Sequence, residues 1–500
     1  MMYNPQKLHP ISYVTSVIEA IKSNFLFIII FVFFQMNRFE WSNPWSYITP
    51  AIVATIFVIS FILNAMRVYK TRYWIENNYL ILTSGVFNLE RKELHIKRIQ
   101  SMDTTQSVVN RIFGGVSLQI KTPSDGIELD TVTKQQSDWI RQEIEKVKAQ
   151  IESKSSATHD ETCDTPQRHK TQVFNEMLYK LSNKNLLLMA MTSGAILVTF
   201  VAVAPIISTL QDVIDWSWLF GSVNHILQNQ IYSILLTISV IILISYFIGI
   251  LITMIKYYGY TLHREGAYLH IRYGLFNIRR LTVPITRIQA AVEERSFVRS
   301  LFGYTAYAFI ITSEQVVKED DNADGKVMIL PFIKQKEARN IISDIVPHLN
   351  FNAIPEGLPW QGFHRRFWIV SLILLIGAGI GHYYFSAWLW LPALVIVTYL
   401  IIHSYIAVKK SGTTMNGNQI SVKQVTLFGF RVSHFKLEKV IGYHQAAHPL
   451  MARANLSHFE FLLAKGATHQ SVGIRFEDAK RVKAYRQWYL KGAVDNEKNA

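Results

Sequence analysis

Arginine is the residue type whose distribution in this sequence most directly suggests chemistry. Nine arginines lie within two stretches that match each other without a gap at a spacing of 189 positions: Arg91, Arg98, Arg111, Arg272, Arg279, Arg280, Arg287, Arg295 and Arg299. Guanidinium groups bind phosphate and carboxylate groups through paired hydrogen bonds. The pattern predicts a face that binds anionic lipid headgroups. Two alternatives remain open: a solvated basic face without a ligand, and structural pairing of Arg98 and Arg287 with carboxylates inside their domains.

Signatures of catalysis are missing from the sequence. It contains no nucleophile elbow, Walker loop, Rossmann glycine motif or paired-histidine metalloprotease motif. Cys163 and His169 lie in a polar segment that offers too few ligands for a metal ion. The acidic run from Glu319 to Asp324 lacks the spacing of an EF-hand and is interpreted as a solvated turn. We therefore predict a protein that is not an enzyme and that uses no cofactor or metal.

The stretch that carries these arginines is one copy of a repeated unit. Its matching residues are Gly85-Val86-Phe87-Asn88 with Gly274-Leu275-Phe276-Asn277, and Arg98-Ile99-Gln100 with Arg287-Ile288-Gln289. A diverged third copy has Leu427-Phe428 and Lys439-Val440-Ile441 at the corresponding places, and Leu456 near the place of Gly114. A copy at a fixed spacing indicates one structural unit that the chain uses several times.

Six apolar stretches predict membrane-spanning helices. Half of the residues are hydrophobic and the mean hydropathy is +0.16, and a helix needs about 20 apolar residues to cross the hydrocarbon layer. The stretches run from Phe25 to Met36, Tyr47 to Met66, Leu186 to Ile207, Ile231 to Ile255, Phe367 to Phe385 and Trp388 to Val408. The first is the shortest and no cleavage site follows it, so it is interpreted as an uncleaved helix. Paired in order, the six helices would form three hairpins.

Basic residues flank one end of each predicted hairpin, whereas the tips carry almost none. The flanks include Arg67, Lys70, Lys256, Lys409 and Lys410. The positive-inside rule therefore places the flanks and both termini in the cytoplasm, beside the cytoplasmic (inner) membrane. The net charge of +15 then faces the anionic leaflet, so anionic lipids are the predicted partner and nucleic acid is not. The single cysteine excludes a disulfide framework and fits a reducing compartment.

A polar domain follows each predicted hairpin. In the first domain, Tyr73 to Ile96 predicts a strand, a turn and a strand. The spacing of Ile140, Ile144, Val147 and Ile151 predicts an amphipathic closing helix. The predicted segments are 1–66 (N-terminus and first hairpin), 67–152 (first domain), 153–184 (polar linker), 185–255 (second hairpin), 256–350 (second domain), 351–408 (linker and third hairpin), 409–492 (third domain) and 493–500 (tail).

The repeated motifs resemble a known family. Gly85-Val86-Phe87, Arg98-Ile99-Gln100, Arg111-Ile112-Phe113-Gly114 and their second copies are similar to the bacterial pleckstrin-homology (bPH2) domain of multi-pass membrane proteins, large three-domain type. The resemblance implies that each hairpin is followed by a PH-like domain, a β-barrel or strongly bent antiparallel sheet with a C-terminal helix. It also implies a smaller PH-domain membrane protein as partner, with self-association as the alternative. It supplies no catalytic residue.

These observations predict a membrane scaffold that binds lipids and proteins through three cytoplasmic domains, with a role in envelope stress or antimicrobial resistance. The alternative is a transporter or exporter with a pathway between the hairpins. Against that alternative, the central portions of the predicted spans contain no Asp, Glu, Lys or Arg, although ionisable groups usually mark transport pathways.

Overall fold

The computed structural model describes residues 5–23, 48–122, 126–156, 175–194, 230–312, 325–384, 386–466 and 468–498. The chain divides into two compact units, Met1–Val283 and Pro284–Ala500. The division falls inside the predicted second domain.

The first unit contains long apolar helices and antiparallel strands. In chain order, its elements are β1 (Gln6–Lys7), α1 (Ser12–Ser23), α2 (Ile48–Lys70), β2 (Arg72–Glu76), β3 (Tyr79–Ser84), β4 (Glu90–His95), a 3-10 helix (Ile96–Arg98), β5 (Ser101–Gln106), α3 (Val108–Ile112), β6 (Gly115–Lys121), β7 (Gly126–Thr133), α4 (Lys134–Ser156), β8 (Asn175–Lys180), α5 (Asn183–Met191), α6 (Gln230–Tyr257), β9 (Thr261–Glu265), β10 (Tyr268–Tyr273) and β11 (Ile278–Pro284).

The second unit repeats this pattern of elements. It contains a 3-10 helix (Ile285–Arg287), β12 (Ile288–Ser296), α7 (Phe297–Leu301), β13 (Tyr304–Ile311), β14 (Lys326–Lys334), α8 (Gln335–Ile345), two short 3-10 helices (Trp360–Gly362 and His364–Arg366), α9 (Trp368–Tyr384), a 3-10 helix (Ala387–Leu389), α10 (Trp390–Lys410), β15 (Gly412–Asn416), β16 (Gln419–Thr426), β17 (Gly429–Lys436), a 3-10 helix (Leu437–Lys439), β18 (Val440–Ala446), α11 (Pro449–Ala452), β19 (Leu456–Lys465), β20 (Thr468–Asp478) and α12 (Ala479–Lys498).

Two of the four sheets among the described residues run across the predicted domain boundaries. The sheet orders are β1-β2-β3-β4, β7-β6-β5-β11-β10-β9-β8, β14-β13-β12-β17-β16-β15 and β18-β19-β20. In the first unit, β5 of the first predicted domain pairs antiparallel with β11 of the second. In the second unit, β12 of the second predicted domain pairs antiparallel with β17 of the third. We call the β5–β11 junction the first seam and the β12–β17 junction the second seam.

The two seams have the same register. Gln106 lies opposite Ile278 in the first seam, and Arg295 lies opposite Phe430 in the second. Arg295 is the repeat equivalent of Gln106, and Phe430 is that of Ile278. The chain therefore joins successive domains by one repeated strand pairing.

Apolar faces at the predicted periods form the cores. Ile140 and Ile144 of α4 are fully buried in the first core, with Leu118 and Leu129. Burial of one such side chain stabilises the fold by roughly 1.5–3 kcal/mol. In the second unit, Val482 and Tyr485 of α12 pack in a core that also includes residues of β12, β16 and β19. The closing helices therefore lie against the sheets through the faces that their sequences indicate.

The prediction of six membrane-spanning helices in three hairpins is wrong. Among the described residues, four helices are long and apolar enough to cross a membrane by length and composition: Pro50–Lys70, Ser239–Tyr257, Trp360–Tyr384 and Ala387–Lys410. The predicted span from Phe25 to Met36 lies outside the described residues. The predicted span from Leu186 to Ile207 begins in α5, which ends at Met191 after 9 residues. A helix of that length covers about 14 Å, roughly half of the hydrocarbon thickness, and the part of that stretch beyond Gly194 is not described.

The fold-class prediction also gave each domain a barrel or bent sheet of its own. The structure instead joins strands of different predicted domains into sheets of seven and six strands. The physical reason is that the β5 and β12 edges carry backbone donors and acceptors that need partners. In both places the next domain along the chain supplies them.

A left-handed backbone position recurs where β6, β13 and β19 begin. Gly114 and Gly303 adopt φ of 72° and 69°, and Asn455 adopts 54° at the corresponding place of the third domain. Asparagine is one of the few residues other than glycine that tolerate this conformation. The sequence predicted this place near Leu456, and the structure puts it at Asn455, the preceding residue.

Candidate anion-binding site

The first seam contains a cavity of about 390 Å³ that gathers arginines from both predicted domains. Arg272 on β10 and Arg280 on β11 come from the second domain, and Arg141 comes from α4 of the first. Lys134, at the start of α4, lines the same cavity, and Asp138 is the carboxylate of its lining. The cavity wall is thus strongly positive.

The guanidinium groups influence one another electrostatically. Partial burial is the main cause that lowers the pKa of Arg280, and the positive charges of Arg272 and Arg141 lower it further, while Asp138 acts in the opposite direction. Arginine remains protonated at neutral pH in spite of such a shift. The neighbouring positive charges thus disfavour the charged form of Arg280. A bound anion would relieve this repulsion.

Histidine and threonine side chains form a polar part of the cavity wall. His270 Nδ1 lies 3.3 Å from Thr282 Oγ1, and His270 Nε2 lies 3.2 Å from a carboxylate oxygen of Glu265. Burial lowers the pKa of His270, the carboxylate of Glu265 raises it, and the positive charge of Arg141 lowers it, with a net lowering. The imidazole is therefore mainly neutral at pH 7, so the positive charge of the cavity comes from arginine and lysine.

A buried ion pair fixes β11 at the back of this cavity. The Lys121 ammonium donates to one oxygen of Asp103, and both side chains are almost completely buried. The other oxygen of Asp103 accepts the backbone N–H of Thr282 at 2.7 Å. Since Asp103 lies on β5 and Thr282 on β11, this carboxylate holds the two predicted domains in register.

The cavity lies close to the end of the membrane helix α6. The turn between β10 and β11 is hydrogen-bonded to this helix end, with Gly274 N–H donating to Tyr258 O at 2.8 Å and Leu275 N–H donating to Ile255 O at 3.0 Å. Arg272 stands two residues before this turn and lies opposite Thr261, the first residue of β9. Thr261 follows Tyr257, the end of α6, by a distance of at most about 14 Å along the chain.

The second seam has a cavity at the corresponding place, but two carboxylates offset most of the charge of its three cations. Its volume is about 220 Å³, and its lining includes Arg295, Arg339, Lys423, Glu293 and Glu356. Arg295 lies 3.3 Å from the carboxylate of Glu293. Lys423 also pairs with Glu356. This cavity therefore offers an anion much less net attraction than the first.

The structure separates the other predicted arginines. Arg91 donates to Glu93 at 2.7 Å on the surface of β4 and lies over the ring of Trp74. Arg98 and Arg287 are exposed in equivalent 3-10 helices and form no ion pair within the described ranges. The alternative that each pairs with a carboxylate inside its domain therefore has no support in this part of the chain.

The remaining predicted arginines lie on elements next to the seams. Arg111 is exposed on α3. Arg299, on the equivalent helix α7, lies over the ring of Phe332. Arg279 is partly buried on β11. Of the nine predicted arginines, Arg272 and Arg280 are the two that share the first cavity.

Sequence reasoning missed several polar residues of the first cavity, among them Lys134, Arg141, His263 and His270. Lys134 and Arg141 lie on the closing helix, outside the repeated motif. The two histidines lie on β9 and β10 and belong to none of the matching motifs. A usable signal existed in α4, where Arg141 follows the buried Ile140 and is itself exposed. In the part of the chain that the structure describes, no group of His, Cys, Asp and Glu side chains could hold a metal ion.

Comparison with known proteins identifies the family. The family described as Bacterial PH domain matches residues 25–148 and 196–345, which together exceed half of the chain. The chain belongs to the bacterial PH domain family. The matched residues cover the first two bacterial PH domains, and the predicted third domain lies beyond them.

A curated relative is also similar to this bacterial PH domain protein. The UPF0699 transmembrane protein YdbT of Bacillus subtilis (strain 168) is 25% identical over 435 residues, which are 84% of this chain and 85% of the relative. No solved structure matches the chain. The resemblance drawn from the repeated motifs is thus confirmed. The transmembrane relative and the four apolar helices agree in placing this protein in a membrane.

Proposed function

We propose that this protein is a non-enzymatic membrane scaffold whose first seam binds the phosphate groups of anionic lipids. The observation that carries the proposal is the cluster of Arg141, Arg272 and Arg280 beside the end of α6. Arginines in such a cluster can form forked hydrogen bonds with a phosphate. Each cation near an anionic bilayer surface contributes about 1 kcal/mol to the attraction.

Basic residues at the helix ends support an orientation with the bacterial PH domains in the cytoplasm. Arg67 and Lys70 lie in the last turn of α2, Lys256 in that of α6, and Lys409 and Lys410 in that of α10. Such flanks favour the cytoplasmic side of a membrane. In this orientation the first seam faces the leaflet that carries the negative surface potential.

The seams support the scaffold part of the proposal. Each seam continues a sheet from one predicted domain into the next, so motion of one relative to the other would break backbone hydrogen bonds. A fixed pairing of strands from neighbouring domains at the membrane suits the assembly of lipids and proteins. We place this scaffold in envelope stress or antimicrobial resistance, which can be tested by comparing a deletion strain and its parent under membrane-directed antibiotics.

The lipid proposal is tested with the full chain in nanodiscs of phosphatidylcholine. The probe is a short-chain phosphatidylglycerol, and its binding is followed by ³¹P NMR line broadening. Changing Arg141, Arg272 and Arg280 together to Gln should weaken binding roughly 100-fold, at about 1 kcal/mol per cation.

The matched control changes Arg91, Arg98 and Arg111 together to Gln, because these arginines lie outside the cavity. It removes the same charge and should reduce binding by less than about threefold. An equal loss in both triple variants would show that total charge, and not the cavity, attracts the lipid. Inorganic phosphate is titrated in parallel, and equally tight binding of phosphate alone would point to a soluble phosphate compound as the ligand.

A further inference from the structure

β5 and β12, the earlier strands of the two seams, have a third equivalent in the chain. No other described strand pairs with the outer edge of that equivalent. Ile99, Ile288 and Val440 are equivalent residues of the repeat, so β18 of the third domain corresponds to β5 and β12. β5 and β12 pair on both edges. β18 pairs with β19 alone among the described strands and ends its sheet.

The partner strand in each seam also has an equivalent, and that equivalent is unpaired on one edge among the described strands. β11 belongs to the first seam and β17 to the second. Each is the third strand of its predicted domain in chain order. The corresponding strand of the first domain is β4, and it ends the sheet β1-β2-β3-β4. In the described part of the chain, β4 and β18 therefore each have one edge without a strand partner.

We propose that β4 of one copy of this chain pairs with β18 of a second copy and forms a third seam between molecules. The register follows from the second seam, where Ala290 lies opposite Phe435 and Val292 lies opposite Ser433. At the repeat-equivalent positions, Gly442 lies opposite Leu94 of the other copy and His444 lies opposite Lys92.

Side-chain size in β18 fits this pairing. In the second seam, the small Ala290 leaves room for the fully buried ring of Phe435. The equivalent residue of β18 is Gly442, which has no side chain to obstruct the pairing, and Leu94 is already buried in the core of its own domain. Ile441, next to it, is 60% exposed, which is unusual for a large apolar residue within a strand.

The charges of the two strands are also compatible. β18 contains no Asp, Glu, Lys or Arg, so no like charges meet across the pair. β4 carries four charged residues, and charges on an edge strand often discourage pairing. They do not prevent it here, because β11 with Arg279 and β17 with Arg431 are both paired in their seams.

The pairing is head-to-tail, since it uses different surfaces of the two copies. Such heterologous contacts close into rings or continue as open chains. The proposal is independent of lipid binding at the first seam. Loss of the phosphatidylglycerol signal would leave this oligomer unchanged, and the reverse also holds.

Cysteine crosslinking in the full-length protein tests the register. In a Cys163→Ser background, one tagged preparation carries His444→Cys and a second, differently tagged preparation carries Lys92→Cys. After mixing in detergent and mild oxidation, a disulfide dimer with both tags should form in the mixture. The control pairs His444→Cys with Lys97→Cys, an exposed position beyond the end of β4, and should give no such dimer.

A charge exchange tests the same contact at equilibrium. His444→Lys places two ammonium groups opposite each other and should raise the dissociation constant of the oligomer roughly two- to fivefold. Adding Lys92→Glu to the same chain should restore the original dissociation constant. A variant that was misfolded would not recover in this way. A monomer at all concentrations, a crosslink in the His444→Cys preparation alone, or capture of a different PH-domain protein in place of a second copy would each overturn the proposal.

Discussion

The guanidinium of Arg431 donates to a carboxylate oxygen of Glu294 at 2.8 Å, across the second seam. The other oxygen of Glu294 accepts from the Lys326 ammonium at 2.8 Å. Arg431 lies on β17, Glu294 on β12 and Lys326 on β14, so this carboxylate connects strands of two predicted domains. Burial by itself raises the pKa of Glu294, but the attraction of Lys326 and Arg431 outweighs it and the pKa is lowered.

This ion network makes the stability of the fold sensitive to acid. Because the pKa of Glu294 is lower in the fold than its ordinary value of 4.5, its contribution is fully present above that value and is lost as the pH falls through the folded pKa. Glu294→Gln should lower the free energy of unfolding by about 1 kcal/mol at pH 7, after allowance for solvent screening. Melting midpoints of the variant in detergent should also fall less steeply below pH 4.5. Glu438→Gln, at an exposed pair with Lys439, should change neither quantity.

The buried pair of Lys121 and Asp103 should be much more costly to break than a surface pair. Lys121→Met leaves the Asp103 carboxylate buried without its cation, which should lower the free energy of unfolding by about 3–5 kcal/mol. The matched control is Lys146→Met, since Lys146 is 66% exposed beside Glu143 and should cost less than about 0.5 kcal/mol. Thermal melting of both variants measures the difference, and similar melting midpoints would refute a structural role of the pair.

The turn that connects β10 to β11 should require glycine at position 274. Gly274 has φ of 108°, and a Cβ at this position would overlap the carbonyl oxygen of Asn277. Gly274→Ala should therefore lower the free energy of unfolding by more than about 2 kcal/mol. Gly303→Ala is the control, because Gly303 has φ of 69° but no atom within 4 Å of the place that a methyl group would occupy. Its cost should stay near 1 kcal/mol, and the two melting midpoints should differ accordingly.

His434 in the second unit should add a second acid-sensitive group at a higher pH. Burial, and then the positive charge of Arg339, lowers its pKa from 6.5 to about 4. Its Nδ1 lies 2.8 Å from Ser421 Oγ. The fold thus favours the neutral imidazole, so this contribution is complete above pH 6.5 and is lost as the pH falls toward 4.

Between pH 6.5 and 4, the free energy of unfolding should fall by about 1.4 kcal/mol per pH unit because of His434. His434→Gln should flatten the decline of the melting midpoint between pH 6.5 and 4. His469→Gln changes an exposed histidine of β20 and should leave the decline as in the unchanged protein. Equal slopes in all three proteins would show that His434 does not titrate in this range.

Local features of this chain could be predicted from the sequence, because they depend on neighbouring residues. The repeat located the turns at Gly85 and Gly274, and the helical period located the buried face of Ile140 and Ile144. The partners of β5 and β12 could not be predicted, since an alternating pattern shows which face of a strand is buried but not which strand lies beside it.

The composition of the cavity and the end of α5 could not be predicted for similar reasons. Arg141 belongs to the cavity only because the first seam brings β11 close to α4, and no local pattern shows this. Hydropathy likewise did not show that α5 ends at Met191. A hydropathy window counts apolar residues and does not record where the backbone leaves the helical conformation, as it does at Thr192, with φ of −101° and ψ of 9°.

The shared sheets have a consequence for the order in which the protein can be made. β5 leaves the ribosome well before its seam partner, because Gln106 and Ile278 are separated by about 170 residues. At bacterial rates of about 5–20 residues per second, the edge of β5 therefore stays exposed for roughly 10–30 s. During this interval the sequence that must reach the membrane includes α6, and β11 follows it. Completion of the first bacterial PH domain thus waits for the insertion of a later helix.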